Sequence, residues 1–145
     1  MNVSRIVFMV GVIIVLSSGC ASTKQLVPLP DQTKTVEDSS KARIYVIRPV
    51  LIASAISMSV SDGEMKVGST GPKGYLCWER APGTTEIRSK SENTAVLPIT
   101  CKAGEVYYIG QHVRMGILFA RNNLSLLTED EGKAKLSKCK VPLVK

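Results

Sequence analysis

The chain has 145 residues, a formal net charge of +7 and four cysteines, and 44% of its residues are hydrophobic. This length fits one domain with a substantial core. Lys and Arg number 19 against 12 Asp and Glu, but aromatic residues make up only 5% and no run of five Lys or Arg occurs. The composition therefore argues against a nucleic-acid-binding protein and indicates a basic, solvated surface.

Residues 1–19 have the features of a secretory signal peptide. Arg5 precedes an apolar run, Ile6 to Leu16, and small residues then lead to Cys20. The run is shorter than the ~20 residues that a spanning helix needs. The end of this segment resembles the lipobox of bacterial lipoproteins, in which the cysteine thiol receives a diacylglycerol group. The resemblance implies a lipid on Cys20, and Ala21, which is not an aspartate, implies sorting to the outer membrane.

Two alternatives for this segment remain open in the sequence. One is an uncut membrane anchor, and the other is cleavage by ordinary signal peptidase, which would leave a soluble periplasmic protein. Residues 20–42 are rich in Ser, Thr, Pro, Gln, Lys and Asp, a composition that buries little apolar area. We expect this stretch to be a flexible tether between the lipid and a domain over residues 43–145.

The body of the chain has strand patterns. Ile44–Ile47 is β-branched and aromatic and stops before Pro49, which is typical of a strand, with an edge position one option. Alternating apolar residues on both sides of Asp62-Gly63 predict a hairpin with a type I′ turn, in which Val60 faces Met65.

Further strands follow the hairpin, and the last element is helical. Gly68 to Gly74 is expected to be a loop, because no Gly-Lys-Ser/Thr follows it as a phosphate-binding loop requires. Thr128 and Glu131 form a capping box that predicts a short helix. The predicted strands are Tyr75–Arg80, Thr84–Ser89, a pair formed by Ala95–Cys101 and Glu105–Val113, Met115–Phe119 and Leu124–Leu127. The sequence therefore predicts a mainly β chain, a small antiparallel β-sandwich with a short C-terminal helix.

The order of these features resembles a family of bacterial lipoproteins that share a domain of unknown function. The resemblance covers Arg43 to Leu136 and implies a small β-sandwich on a lipid anchor, with no catalytic residues to carry over. The middle section is also similar to the PEGA-type β-sandwich repeats of bacterial surface proteins. The segments that carry the resemblance are Arg43–Pro49, Val60–Gly63 with Val67-Gly68, Ala81–Gly83 and Gly104–Ile109.

Three cysteines remain for the folded domain once Cys20 is assigned to the lipid. An exported protein meets an oxidising compartment, so one disulfide and one free thiol are expected. Three pairings are open in the sequence. We favour Cys77–Cys101, because both lie in predicted strands, and leave Cys139 near the chain end unpaired.

Motifs for catalysis and metal binding are missing from the sequence. There is no CxxC spacing, and His112 is the only histidine, so we expect neither a metal site nor another cofactor. His112 is also not accompanied by a Gly-x-Ser-x-Gly motif. Four aromatic residues are candidates for a sugar-stacking surface, although burial in the core is the more common role. They are Tyr75, Trp78, Tyr107 and Tyr108.

These features together favour a non-enzymatic lipoprotein anchored in the outer membrane, with its domain in the periplasm. It is expected to act as an interaction or structural module with a protein partner of the cell envelope, and not with nucleic acid. Three alternatives stay open: a module that binds envelope polysaccharide, a soluble periplasmic protein, and a hydrolase without a recognisable motif. Burial of Trp78 would exclude the polysaccharide surface that depends on it.

Overall fold

The computed structural model describes residues 20–145, and the predicted signal peptide lies outside the described residues. This part of the chain contains ten strands and one helix. Their bounds are β1 Lys24–Gln25, β2 Ala42–Arg48, β3 Met58–Asp62, β4 Met65–Thr70, β5 Gly74–Arg80, β6 Gly83–Lys90, β7 Thr94–Cys101, β8 Val106–Met115, β9 Ala120–Leu127, α1 Glu129–Leu136 and β10 Leu143–Val144.

The strands form two sheets that face each other in a sandwich, so the predicted fold class is confirmed. One sheet has six strands in the order β10-β1-β4-β3-β6-β7, and the other has four in the order β5-β2-β8-β9. The apolar side chains between the sheets form the main core, in which Ile44, Trp78, Ile87 and Ile109 are almost fully buried. The alternation along each strand explains this, because every second side chain points to the same face.

Two consecutive strands that were predicted to pair do not. β7 pairs with β6 in the six-stranded sheet, whereas β8 pairs with β2 and β9 in the four-stranded sheet. The turn at Lys102–Gly104 therefore crosses from one sheet to the other. The pairing of β2 with β8 is also parallel, so the sandwich is mostly and not wholly antiparallel. Strand patterns mark which face is buried, but they do not identify the neighbouring strand.

The strand β2 lies inside its sheet and not at an edge. It pairs with β5 on one side and β8 on the other, and all seven of its residues are buried. Pro49 ends the strand but has no bearing on its position in the sheet. Pro98, by contrast, does lie in an edge strand, because β7 is the last strand of the six-stranded sheet.

The β3–β4 hairpin forms, but its register differs from the prediction. Asp62 pairs with Met65, so the two loop residues are Gly63 and Glu64, and a bulge between Val60 and Ser61 places Val60 opposite Gly68. Of the two loop residues, only Gly63 has a positive φ, +56°, which excludes a type I′ turn. Asp62 is needed inside the fold, where its carboxylate accepts hydrogen bonds from Trp78 Nε1 at 2.9 Å and Thr85 Oγ1 at 2.5 Å.

Residues predicted as a strand form the tip of the β8–β9 hairpin instead. β8 ends at Met115, β9 begins at Ala120, and the N–H of Gly116 donates to the carbonyl of Phe119 at 2.7 Å. The run Met115–Phe119 has the composition of a buried strand, yet Ile117 is 89% exposed.

The predicted capping box at the start of α1 is confirmed. Thr128 accepts a hydrogen bond from the N–H of Glu131, and the Glu131 side chain accepts one from the N–H of Thr128. Gly132 allows the helix to approach the sheet, since a Cβ there would overlap the ring of Tyr108. Among residues 20–145, no helix has the length and apolarity required to cross a membrane.

Much of residues 20–42, predicted from composition to be a flexible tether, is attached to the sandwich in the structure. The Gln25 side chain is fully buried, donates to the carbonyl of Cys77 at 2.7 Å and accepts from its N–H at 3.0 Å. Gly68, Gly71 and Gly74 make room for this segment, because a Cβ at each would overlap atoms of Lys24, Ala21 and Thr23 respectively. The prediction considered only apolar burial, whereas the polar side chain of Gln25 supplies the contacts that attach this segment.

Two fully buried arginines mark the ends of β2. The Arg43 guanidinium forms an ion pair with Glu79 at 2.9 Å and donates to the carbonyls of Lys34 and Asp31. Arg48 donates only to carbonyl oxygens, three of them in the loop before β3. These side chains attach the irregular segments on either side of β2 to the sandwich.

Candidate functional site: a basic groove on the six-stranded sheet

The outer face of the six-stranded sheet carries a groove of about 620 Å³. Its floor consists of hydroxyl side chains from β3 and β4, and its walls carry five cations and one acid. The floor residues are Ser59, Ser61 and Ser69; the cations are Lys24, Lys66, Arg88, Lys90 and Lys145; the acid is Glu64.

Strand alternation explains why these residues share one face. Met58, Val60 and Val67 point into the core, so the residues between them, Ser59 and Lys66 among them, point outward. Because β3 lies between β4 and β6, the outward side chains of all three strands meet in one surface.

The groove has a positive charge that the acids nearby offset only in part. Glu86 accepts from Arg88 Nη2 at 2.5 Å, and this hydrogen bond together with the charge of Glu86 raises the pKa of Arg88 above its ordinary value. Lys24, Lys66 and Lys90 form no ion pair within the described part of the chain. A surface of free cations around hydroxyl groups suits an anionic ligand or an acidic protein surface.

The four aromatic candidates do not form a sugar-stacking surface, and three of them have the buried role that was expected to be the more common one. Trp78 is 1% exposed and lies between the sheets, while Tyr75 and Tyr108 are buried on the opposite face of the four-stranded sheet. The Tyr108 ring stacks on Tyr45 with centroids 5.3 Å apart. Tyr107 is partly buried and its hydroxyl donates to Glu105 at 2.6 Å. Aromatic rings dominate burial here because a small sandwich needs large apolar side chains to fill its core.

The predicted Cys77–Cys101 disulfide is absent, and the cysteines in the described part of the chain are all free. Cys101 points into the core between the sheets, whereas Cys77 lies on the other face of its sheet, next to Tyr45. Cys77 and Trp78 are neighbours in a strand and so point to opposite faces. Burial raises the pKa of Cys77, and Cys139 packs against the same outer cluster.

The only histidine has one partner relevant to catalysis. His112 is exposed and its Nε2 lies 2.7 Å from Ser125 Oγ across the β8–β9 pair. No carboxylate hydrogen-bonds to His112 within residues 20–145, so the third group that would orient it as a base is missing from this part. The same residues contain no group of three His, Cys, Asp or Glu side chains placed to hold a metal ion.

The groove was missed from the sequence, although part of its signal is visible there. The alternation Ser57, Ser59, Ser61 and the alternation Glu86, Arg88, Lys90 each mark an outward face. What the sequence does not state is that β3 pairs with β6, which brings the two faces together. Without that pairing, the cations are spread over separate strands.

The fold and site together define a small β-sandwich with a polar, basic face. A model of the family described as "Protein of unknown function (DUF2846)" matches residues 38–122, and the chain belongs to this family. The chain is also 26% identical over 141 residues to an uncharacterized protein of Haemophilus influenzae, covering 89% of this chain and 79% of that protein. These findings support the resemblance to a family of unknown function, and they do not show a similarity to PEGA-type repeats.

Proposed function

We propose that the protein is an outer-membrane lipoprotein that carries a lipid on Cys20 and acts, without catalysing a reaction, as a module that binds an acidic partner protein of the envelope. The observation that carries this proposal is the basic groove. A groove with five cations and one acid attracts an acidic surface over distances of about a Debye length, ~8–10 Å.

The position of Cys20 supports the link between anchor and groove. Cys20 lies in a shallow depression beside Lys24 and Ser69, two residues that also line the groove. A lipid on Cys20 therefore holds the groove near the membrane surface, where partners in the same membrane are concentrated. Effective concentrations of tethered partners reach the millimolar range, which makes weak, charge-based binding sufficient.

The residues that line the groove favour a protein partner over a polysaccharide. Neutral sugars are commonly held by stacking on aromatic rings, and no aromatic residue among residues 20–145 lines the groove. Its cations and hydroxyl groups complement carboxylates, and such complementary charge gives orientation and a fast approach.

A photo-crosslinking residue at Ser61, in the floor of the groove, tests the proposal in intact cells. We expect adducts with a protein partner. Replacing Lys66 and Arg88 by glutamine should lower their yield roughly tenfold, because long-range attraction and charge pairing are both reduced. The matched control replaces Lys102 and Lys138, which are exposed outside the groove, and should leave the yield unchanged. Equal yields in both double variants, or adducts with polysaccharide alone, would contradict the proposal.

A further inference from the structure

The tip of the β8–β9 hairpin exposes a group of apolar side chains that no part of residues 20–145 covers. Met115 is 72% exposed, Ile117 89%, Leu118 80% and Phe119 57%. Single exposed apolar residues are ordinary on protein surfaces, but a contiguous group of this kind marks a contact with a membrane or another protein.

The main-chain N–H groups of the tip already have acceptors inside the protein. The Glu92 carboxylate accepts hydrogen bonds from the N–H groups of Ile117, Leu118 and Phe119, the last at 2.9 Å. The N–H of Gly116 donates to Phe119. In a lipid environment, where water does not compete, polar main-chain groups must find partners within the protein. These internal bonds lower the cost of moving the N–H groups of the tip into the bilayer surface.

The tip lies at the same end of the sandwich as Cys20. Phe119 borders a depression together with Ser57, and Ser57 also borders the depression that contains Cys20. The loop before β3, where Leu51 is 58% and Ile52 49% exposed, lies at this end too, because Ala53 and Ile56 pack against Val113 and Ala120 at the base of the tip.

Almost no unattached residues separate Cys20 from the folded domain. The N–H of Ala21 donates to the carbonyl of Ser54 at 2.7 Å, and Lys24 and Gln25 pair with β4. A lipid attached to Cys20 would therefore hold this end of the sandwich directly against the bilayer. A flexible tether would have allowed the domain to stand away from it.

The charges around the tip complement a membrane surface with anionic headgroups. Arg114 and Arg121 are exposed on the two strands that lead to the tip; Arg121, whose side chain is 53% exposed, lies 3.9 Å from the Glu92 carboxylate, and Arg114 forms no ion pair within residues 20–145. Glu92, the acid at this position, faces the main chain of the tip, and its side chain is only 20% exposed. Cations next to an apolar insertion are the arrangement that interfacial segments use at anionic lipid surfaces.

We infer that the tip Met115–Phe119 inserts into the surface of the phospholipid bilayer beside the lipid on Cys20, so that the domain lies on the membrane at two points. The inference rests on the proposed lipid anchor for its location. The tip fixes the orientation of the sandwich, and the basic groove, which shares Ser69 and Lys90 with the depression at Phe119, opens next to the headgroups.

Fluorescence quenching by brominated lipids tests the inference. The full-length protein, purified from membranes, is added to vesicles of phosphatidylethanolamine and phosphatidylglycerol with bromine on the acyl chains. Phe119→Trp and Leu118→Trp report on the tip, and Val96→Trp, at an exposed position on the outer face of β7, is the control. Trp78 is buried and common to all three variants. Bromine should lower the emission of both tip variants at least about twofold relative to the control.

Equal quenching of tip and control tryptophans would overturn the inference. A tip tryptophan that is shielded from acrylamide without vesicles, and not quenched by bromine, would overturn it in favour of a second protein chain. The anchor is read out separately: at low vesicle concentration, only acylated protein should sediment with the vesicles. Protein that fails to sediment counts against the lipid on Cys20. The tip is then tested at saturating vesicle concentration, where bromine must still quench both tip variants more than the control if the inference is correct.

Discussion

The Arg48→Ala variant is expected to lose about 3–5 kcal/mol of the free energy of unfolding, a large part of the stability of a domain of this size. The Arg48 side chain is fully buried and donates four hydrogen bonds to main-chain carbonyls, at 2.7 to 3.1 Å. Alanine leaves those carbonyls without a donor and opens a cavity. Unsatisfied buried acceptors and cavities are among the few causes of losses of this size.

The loop before β3 should be the first region to open in this variant. Ile52, Ala53 and Ile56 supply three of the four acceptors, and Ala53 has a left-handed φ of +57° that a non-glycine residue rarely adopts. Without Arg48, little remains to hold that conformation. Hydrogen exchange measured across the loop should rise before the core exchanges.

Two further substitutions make the Arg48 prediction specific. Arg48→Lys should recover only part of the loss, since lysine has three donors on one atom and does not reproduce the guanidinium fork. Arg114→Ala, at an exposed position, is the matched control and should change stability little. Chemical denaturation of the purified protein measures all three, and a loss for Arg48→Ala no larger than for Arg114→Ala would contradict the assigned role.

The second large effect is a dependence of stability on pH that arises from Glu79. Burial of Glu79 acts to raise its pKa, but hydrogen bonds from the N–H groups of Glu37 and Asp38 and the Arg43 guanidinium outweigh it, so the pKa is lowered below the ordinary 4.5. A carboxyl group with a lowered folded-state pKa stabilises the fold above its ordinary pKa. That contribution is lost as the pH falls through the folded-state value.

Glu79→Gln should therefore cost about 2–4 kcal/mol near pH 7, because it leaves the buried Arg43 charge without its ion-pair partner. The difference between wild type and variant should shrink below pH 4.5, since the wild-type carboxyl group then becomes neutral too. Denaturation curves over this range measure the difference. Glu86→Gln, which removes an acid that is 47% exposed, is the control, and a Glu79→Gln difference that stays constant down to acidic pH would be inconsistent with this account.

Local chemistry was enough to predict the elements whose causes are local. The capping box of Thr128 and Glu131 depends on residues three positions apart, and it forms as expected. The alternation in β7 also depends on one strand, which was predicted as Ala95–Cys101, and it places Ile99 and Cys101 on the buried face. The hairpin at Asp62-Gly63 is intermediate, because its turn is local but its register depends on the buried contacts of Asp62 with Trp78 and Thr85.

Features that join distant parts of the chain were not predictable in this way. Gln111 lies on β8 and bridges the sheets by accepting from Thr70 and donating to Ser89 at 2.6 Å. Nothing near Gln111 in the sequence distinguishes it from an exposed glutamine. The same holds for Gln25, whose partner Cys77 is 52 positions away. Buried polar groups of this kind are costly unless fully paired, and their partners depend on the complete topology.

The basic groove and the exposed tip were not predicted from the sequence for the same reason. The groove needs the pairing of β3 with β6, and the tip was predicted as a strand because Met115–Phe119 is apolar. An apolar composition predicts that the residues are buried, but it does not tell whether the protein core or another apolar environment buries them. The bilayer proposed here provides the burial that the protein itself does not.

A lipid on Cys20 is the central claim, and metabolic labelling with an alkyne analogue of palmitate tests it most directly. Cells that express wild type, Cys20→Ser or Cys139→Ser are labelled, and the purified proteins are compared. We predict equal labelling of wild type and Cys139→Ser, no labelling of Cys20→Ser, and an acylated Cys20 as the first residue of the mature protein by mass spectrometry. A mature wild-type protein without label, or label that persists in Cys20→Ser, would contradict the claim.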